Sequence, residues 1–268
     1  MSPIIGLDPG PALSSDEQRD IVPAYFRPHL HESGSKWRRL ASVMKPRSIA
    51  IMNPQSGPGA ELDPEYVGVI DLCHSYRRQL RVIGYVGTDH GRTSLSNVME
   101  DLKNYVSWYP HLDGIFLDEM NNDPIPDVRS YYTAISAKIR ERRNQTIVGN
   151  PGNVSDAQGA WSFDVVDVLV AQENRAADYL AWEQPQWVYP GSSRDHAYRI
   201  AHLVHGVRPS MVGAAPSQEK KVLAASRVRH AGYVYATDEA APPDPRLWDR
   251  LPVSWTKRLA LPLPPTRG

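Results

Sequence analysis

The chain has 268 residues, with 30 basic and 30 acidic side chains and a formal net charge of zero. A length near 250 suits one large α/β barrel or two ordinary domains, and the balanced charge removes any overall electrostatic drive toward nucleic acid or an anionic membrane. The single cysteine, Cys73, excludes an intramolecular disulfide framework and a cysteine-based zinc cage.

No run approaches the roughly 18 apolar residues of a membrane span. The first thirty residues also lack a basic segment followed by an apolar one. As written the chain reads as cytoplasmic and unaddressed. A chain relieved of an export signal would look the same, so the compartment stays open.

Short runs rich in β-formers alternate with segments of helical period, the signature of βαβ units and a parallel sheet. In chain order the strands are predicted at Ile21–Phe26, Ser48–Met52, Arg81–Val86, Gly114–Leu117, Thr146–Gly149, Val165–Val170, Ile200–Val204 and Gly232–Ala236. Eight is the number that closes a (β/α)8 TIM barrel.

Between the strands, Tyr66, Val69, Ile70, Cys73, Tyr76 and Leu80 recur at helical spacing, as do Leu95, Val98, Leu102, Tyr105, Val106 and Tyr109. Tyr131, Tyr132, Ile135 and Ile139 mark another helix, and Ser217 can cap one that runs to Arg229. The sixth unit is the weakest, because Trp182–Tyr189 carries Pro185 and tryptophans without a clean period. No internal repeat or interdomain linker stands out. The expectation is one barrel domain over 1–268, with its core at about 20–240 and a proline-rich tail over 241–268 that wraps the outside or frays.

The carboxyl ends of barrel strands meet on one face, where such barrels carry chemistry. Each predicted strand delivers a polar or aromatic group there: Tyr25; Asn53 in NPQSGPG; Tyr85, Thr88 and His90 in GYVGTDHGRTS; Asp118 and Glu119 in GIFLDE; Asn150 in NPGN; Glu173 in VAQEN; His205; Tyr235. Two carboxylates across such a mouth suit glycosidic cleavage, in which one protonates the leaving oxygen while the other attacks the anomeric carbon or activates water. Successive strand residues face opposite ways. One of Asp118 and Glu119 should therefore point into the mouth while the other leans toward a neighbouring loop and bonds it.

Other chemistries lack their residues. NPQSGPG has no Lys-Ser/Thr ending for a phosphate loop, the histidines show no HExxH spacing, and no GxSxG occurs. No metal or other cofactor is expected. Glu183 and Glu239 are rival acids outside the predicted strand ends.

In order, VPAYFRP, NPQSGPG, GYVGT, GIFLDE, NPG and VAQEN resemble the spherulin-4 (spherulation-specific) family, related to glycoside hydrolase family 135 and the polygalactosaminidases. The resemblance covers about residues 20 to 255. It implies a (β/α)8 fold and hydrolysis of α-1,4-linked galactosamine- or N-acetylgalactosamine-containing exopolysaccharide. It also implies an acidic trio that maps onto Asp118, Glu119 and Glu173. Asp89 and His90 depart from the more aromatic loop expected of such relatives.

The reading is a monomeric hydrolase. Asp118 serves as nucleophile or base, Glu173 as general acid/base, and Glu119 orients one of them. Tyr25, Asn53, Tyr85, Thr88, His90, Asn150, His205 and Tyr235 line the sugar subsites. The alternative is a carbohydrate-binding or stress-associated barrel without turnover.

Overall fold

The computed structural model describes residues 10–76, 79–154, 157–191, 193–208, 217–240 and 247–258. Runs of β-branched and aliphatic residues form eight strands: β1 Arg19–Ala24, β2 Ile49–Met52, β3 Arg81–Gly87, β4 Gly114–Asp118, β5 Thr146–Gly149, β6 Val168–Arg175, β7 Ile200–His205 and β8 Tyr233–Ala236. All pair in parallel in sequence order, and β8 returns to β1, closing the barrel. Buried inside and out, these strands are apolar on both faces, as a parallel sheet under helices requires.

The sixth strand departs most from expectation. It begins three residues later than predicted and runs on through Glu173 to Arg175. Ser162–Val165 instead forms a helical turn that continues the 3-10 turn at Ala157–Trp161. The ladder to β7 slips between Val170 and Gln172, so Ala171 is absorbed as a bulge.

The helices are α1 Lys36–Val43, α2 Pro64–Ser75, α3 Leu95–Trp108, α4 Pro126–Arg140, α5 Ser162–Val165, α6 Ala176–Ala181, α7 Arg194–Ala197, α8 Gln218–Val228 and α9 Val253–Arg258. Their starts follow capping chemistry. Asp63 accepts the Glu65 N–H before Pro64-led α2, Ser94 accepts the Asn97 N–H before α3, and Ser217 accepts the Lys220 N–H before α8. Sequence reading passed over α1, although Ser35 caps it and Trp37, Leu40 and Ala41 bury its inner face. The sixth unit is indeed thin, with six residues in α6 and four in α7.

The tail does not simply wrap the outside or fray. Its residues 241–246 and 259–268 lie outside the described residues, but between them Trp248 and Trp255 are 5% and 4% exposed, packed against Tyr235 at the barrel mouth. An apolar pair of indoles inside a proline-rich string buries too much surface to stay in water.

Gly114, at the start of β4, sits so close to β5 that an added Cβ would meet the Thr146 carbonyl oxygen at 1.9 Å. Backbone in a closed barrel cannot retreat, so Gly114→Ala is expected to cost ~3 kcal/mol or more. Gly34→Ala, with nothing within 4 Å of the new atom, should leave the thermal midpoint almost unmoved in the same unfolding experiment.

Candidate active site

Three neighbouring strands place three polar side chains in one cluster. Asp118 ends β4, Asn150 follows β5, and Glu173 lies in β6. The Asn150 Nδ2 donates to Asp118 Oδ1 at 2.7 Å and to Glu173 Oε2 at 2.6 Å. Its own Oδ1 accepts the Gly152 N–H at 3.0 Å, which fixes the amide's orientation. Since both carboxylate oxygens bond one nitrogen, they are at most ~5.3 Å apart.

The bulge sets Glu173's direction. A regular ladder from Val170 would pair Gln172 with Leu203. In the observed register Gln172 pairs with His202, which contacts Tyr179 and Trp182 of the outer layer, and Glu173 pairs with Leu203. Absorbing Ala171 thus turns the acid, and not the amide before it, toward the barrel interior.

Aromatic groups close around the pair. Tyr25 meets Tyr85 edge to face at 5.6 Å, and Tyr85 leans on Phe116 at 6.2 Å. Burial raises the Asp118 carboxyl above its ordinary range, against hydrogen bonds from Asn150, the Glu119 backbone and the Tyr85 hydroxyl. Burial first, then the Asp118 charge, pushes Glu173 up to about 7, while Asn150 and the Trp248 indole hold it back. Burial and the same two acids hold the Tyr25 hydroxyl protonated, well above its usual value. One acid is thus kept protonated at neutral pH beside a partner that ionises first.

That arrangement costs stability as pH rises. An unfolded chain releases the Glu173 proton near its ordinary value of 4.5, whereas the folded chain keeps it until about 7. Stability present below 4.5 is therefore lost progressively from 4.5 to 7. Glu173→Gln should unfold like the wild type at pH 4 but be the more stable protein at pH 8, by on the order of 3 kcal/mol. Thermal melts at the two pH values check this; equal midpoints at pH 8 would contradict it.

Not every expected rim residue faces the cleft. Glu119 is exposed, with a left-handed φ of 51°, and takes no part in the Asn150 bridge, although its charge still acts on Asp118 and Tyr85. Its backbone carbonyl, and not its carboxylate, binds the β3 loop, accepting from His90 N–H at 2.7 Å. Thr88 is fully buried, and its Oγ1 lies 2.9 Å from the Asp118 and Glu119 carbonyl oxygens and from the Tyr132 hydroxyl. It pins β3 to β4 and does not reach a ligand.

Tyr235 is likewise buried, beneath Trp248 and Trp255, so it supports the cleft floor. Asn53 is half-buried and its Oδ1 accepts the Gly57 N–H at 3.1 Å, shaping its own turn. His205 is 6% exposed, edge-on to Trp248, and burial lowers its pKa. His90 is exposed on a turn with φ 54°.

Trp248 is the functional residue that strand-end reasoning missed. Its ring meets His205 and Tyr235, and its carbonyl accepts the Tyr25 N–H at 3.2 Å. The available signal was a tryptophan in an otherwise breaker-rich stretch, DPRLWDRLP. Among the described residues no helix is long and apolar enough to cross a membrane, and no group of three or more His, Cys, Asp or Glu side chains could hold a metal ion.

The sequence profile of Spherulation-specific family 4 matches residues 20–261. Spherulin-4 of Physarum polycephalum is 30% identical over 238 residues, which are 86% of this chain and 66% of that protein, so the chain spans just under two thirds of that relative. Among solved structures, Sph3 of Aspergillus clavatus, determined in complex with GalNAc, superposes with a TM-score of 0.69 at 22% identity, covering 94% of this chain and 97% of that one. The catalytic domain of a mannanase from Streptomyces sp. SirexAA-E superposes with a TM-score of 0.50 at 15% identity, covering 96% and 92%. The barrel is thus one that glycoside hydrolases use.

Proposed function

The chain belongs to Spherulation-specific family 4, and from that premise we propose that it is a glycoside hydrolase cleaving α-1,4-linked galactosamine- or N-acetylgalactosamine-containing polysaccharide. The observation that carries this reading is the buried Asp118–Asn150–Glu173 bridge, in which one amide holds two acids of unlike proton affinity. The GalNAc complex of Sph3 supports the choice of sugar.

Glu173, protonated near neutrality, gives its proton to the glycosidic oxygen. Asp118, ionised and aligned by Asn150, attacks the anomeric carbon from the other side of the sugar. A water then enters, gives its proton back to Glu173, and its oxygen displaces Asp118. The separation of the two acids supports this two-step, retaining course, which needs roughly 5–5.5 Å, over the single displacement, which needs about 6.5–9.5 Å. Tyr25 and Tyr85 offer hydroxyls and ring faces to the sugar beside the reacting bond.

Reducing-end release from partially deacetylated α-1,4-galactosaminan tests the reading, with NMR of the first-formed anomer for the stereochemistry. Release with retained α-configuration is expected. Tight binding without release would overturn the hydrolase in favour of a carbohydrate-binding barrel.

A further inference from the structure

A second cavity opens beside the tyrosines of the cleft. Parallel pairing sets Ala24 beside Met52 and Met52 beside Gly84, so the next residues, Tyr25, Asn53 and Tyr85, stand at one height on three adjacent strands. Pro54 and Gln55 follow Asn53 directly, and Arg27 lies two residues beyond Tyr25. There, at the upper edge of the tyrosine pair, a cavity of about 340 Å³ lies between Arg27 and the loop of residues 54–64. Its volume falls within the roughly 300–1,000 Å³ of small-molecule sites.

The walls of this cavity are ordered before anything enters it. Pro54, Pro58 and Pro64 fix three φ angles of the loop. Asn53 Oδ1 accepts the Gly57 N–H at 3.1 Å, and the Gln55 N–H donates to the Gly57 carbonyl at 3.3 Å, closing the loop on itself. Asp63 holds Arg27 in place, with Nη2 to Oδ2 at 2.8 Å, while its Oδ1 accepts the Glu65 N–H at 3.0 Å and so caps α2. Walls fixed in advance lose little freedom when a ligand arrives.

The Arg27 guanidinium carries five N–H donors, of which those on Nη2 face Asp63 and Glu65, on a side chain that is 53% exposed. Gln55 and Glu61, both exposed on the loop, bring amide and carboxylate oxygens. Donors and acceptors together match a hexosamine unit, whose hydroxyls do both and whose free amine is a cation. We propose that this cavity is a distal sugar subsite: a polymer seated with its reacting bond between Asp118 and Glu173 runs past Tyr25 and rests a further hexosamine unit between Arg27 and the 54–64 loop. The subsite rests on the hydrolase reading and adds to it that the enzyme recognises the length of its substrate.

The test is calorimetric binding of α-1,4-galactosamine oligosaccharides, from the disaccharide to the hexasaccharide, to Glu173→Gln, whose fold is checked by circular dichroism and which cannot turn the ligand over. The hexasaccharide should bind roughly tenfold more tightly than the disaccharide, the worth of one good hydrogen bond to a charged group. Adding Ala60→Trp puts an indole into the cavity from an exposed position on its wall. That change should abolish the gain with length and leave the affinity for the disaccharide as it was.

A hexasaccharide that binds no more tightly than the disaccharide, a gain that survives Ala60→Trp, or an equal loss for both ligands overturns the subsite and leaves the hydrolase reading standing. Absence of binding at every length overturns the choice of substrate and the subsite with it. Should Ala60→Trp fail to fold, Arg27→Gln removes the guanidinium instead. A gain with length that shrinks while disaccharide affinity holds then supports the subsite, and an undiminished gain overturns it.

Discussion

Glu173→Gln and Asp118→Asn are each expected to lower kcat on galactosaminan by roughly 10³-fold or more with the fold intact by circular dichroism, because each removes a group that exchanges a proton or a bond with the sugar. Their defects should differ in kind. On an aryl glycoside whose leaving group needs no proton, Glu173→Gln retains the nucleophile and forms the glycosyl intermediate, which then lacks a base to activate water. Azide needs no base, so it should restore turnover to Glu173→Gln and yield a glycosyl azide of retained configuration. In Asp118→Asn the intermediate cannot form, and any azide product should be inverted. Equal, azide-insensitive activity in both variants would remove these acids from the mechanism.

Asn150→Ala is expected to cost about 10²-fold in kcat, the penalty for letting a reacting group wander by an ångström. Its more telling effect is on the pH profile. Wild-type kcat/KM requires Asp118 ionised and Glu173 protonated, so activity should rise as Asp118 loses its proton and fall as pH passes through about 7. The amide of Asn150 donates to both acids and so favours both ionised forms. Without it both limbs should move to higher pH. A pH–rate series from pH 4 to 9 reads this directly. Limbs that stay in place would mean that the amide only fills space.

Much of this was legible because barrel chemistry ties height along a strand to function. The acids of GIFLDE and VAQEN stand at the carboxyl ends of apolar runs, and the predicted Thr146–Gly149 strand matches the observed one at both ends. What a strand end does not specify is direction. Thr88 and Tyr235 were placed at the right height but turn into the protein. One of Asp118 and Glu119 was expected to bond a neighbouring loop through its side chain, yet the bond to the β3 loop comes from the backbone carbonyl of Glu119, whose φ is left-handed. The register slip that aims Glu173 has no local sequence mark, since Ala171 is as apolar as the strand around it. Trp248 escaped for a different reason, because its partners lie on β7, on β8 and just after β1, and only the tertiary fold brings them together.

The seam between β1 and β8 has a bearing on how the molecule is made. It consists of only two registered pairs, Arg19 with Tyr233 and Asp20 with Val234, and the Arg19 guanidinium bonds the Tyr233 hydroxyl across a sequence separation of 214. Until a nascent chain has delivered residue 234, β1 has a free edge, and so has whichever strand was last to pair. Such edges are templates for pairing with a second chain. Loop closure on this scale comes late in folding and slows it. The aggregation hazard of this barrel is therefore concentrated in translation and refolding, and a circular permutant opened elsewhere, with β8 joined covalently to β1, would meet that seam early and should refold with less loss.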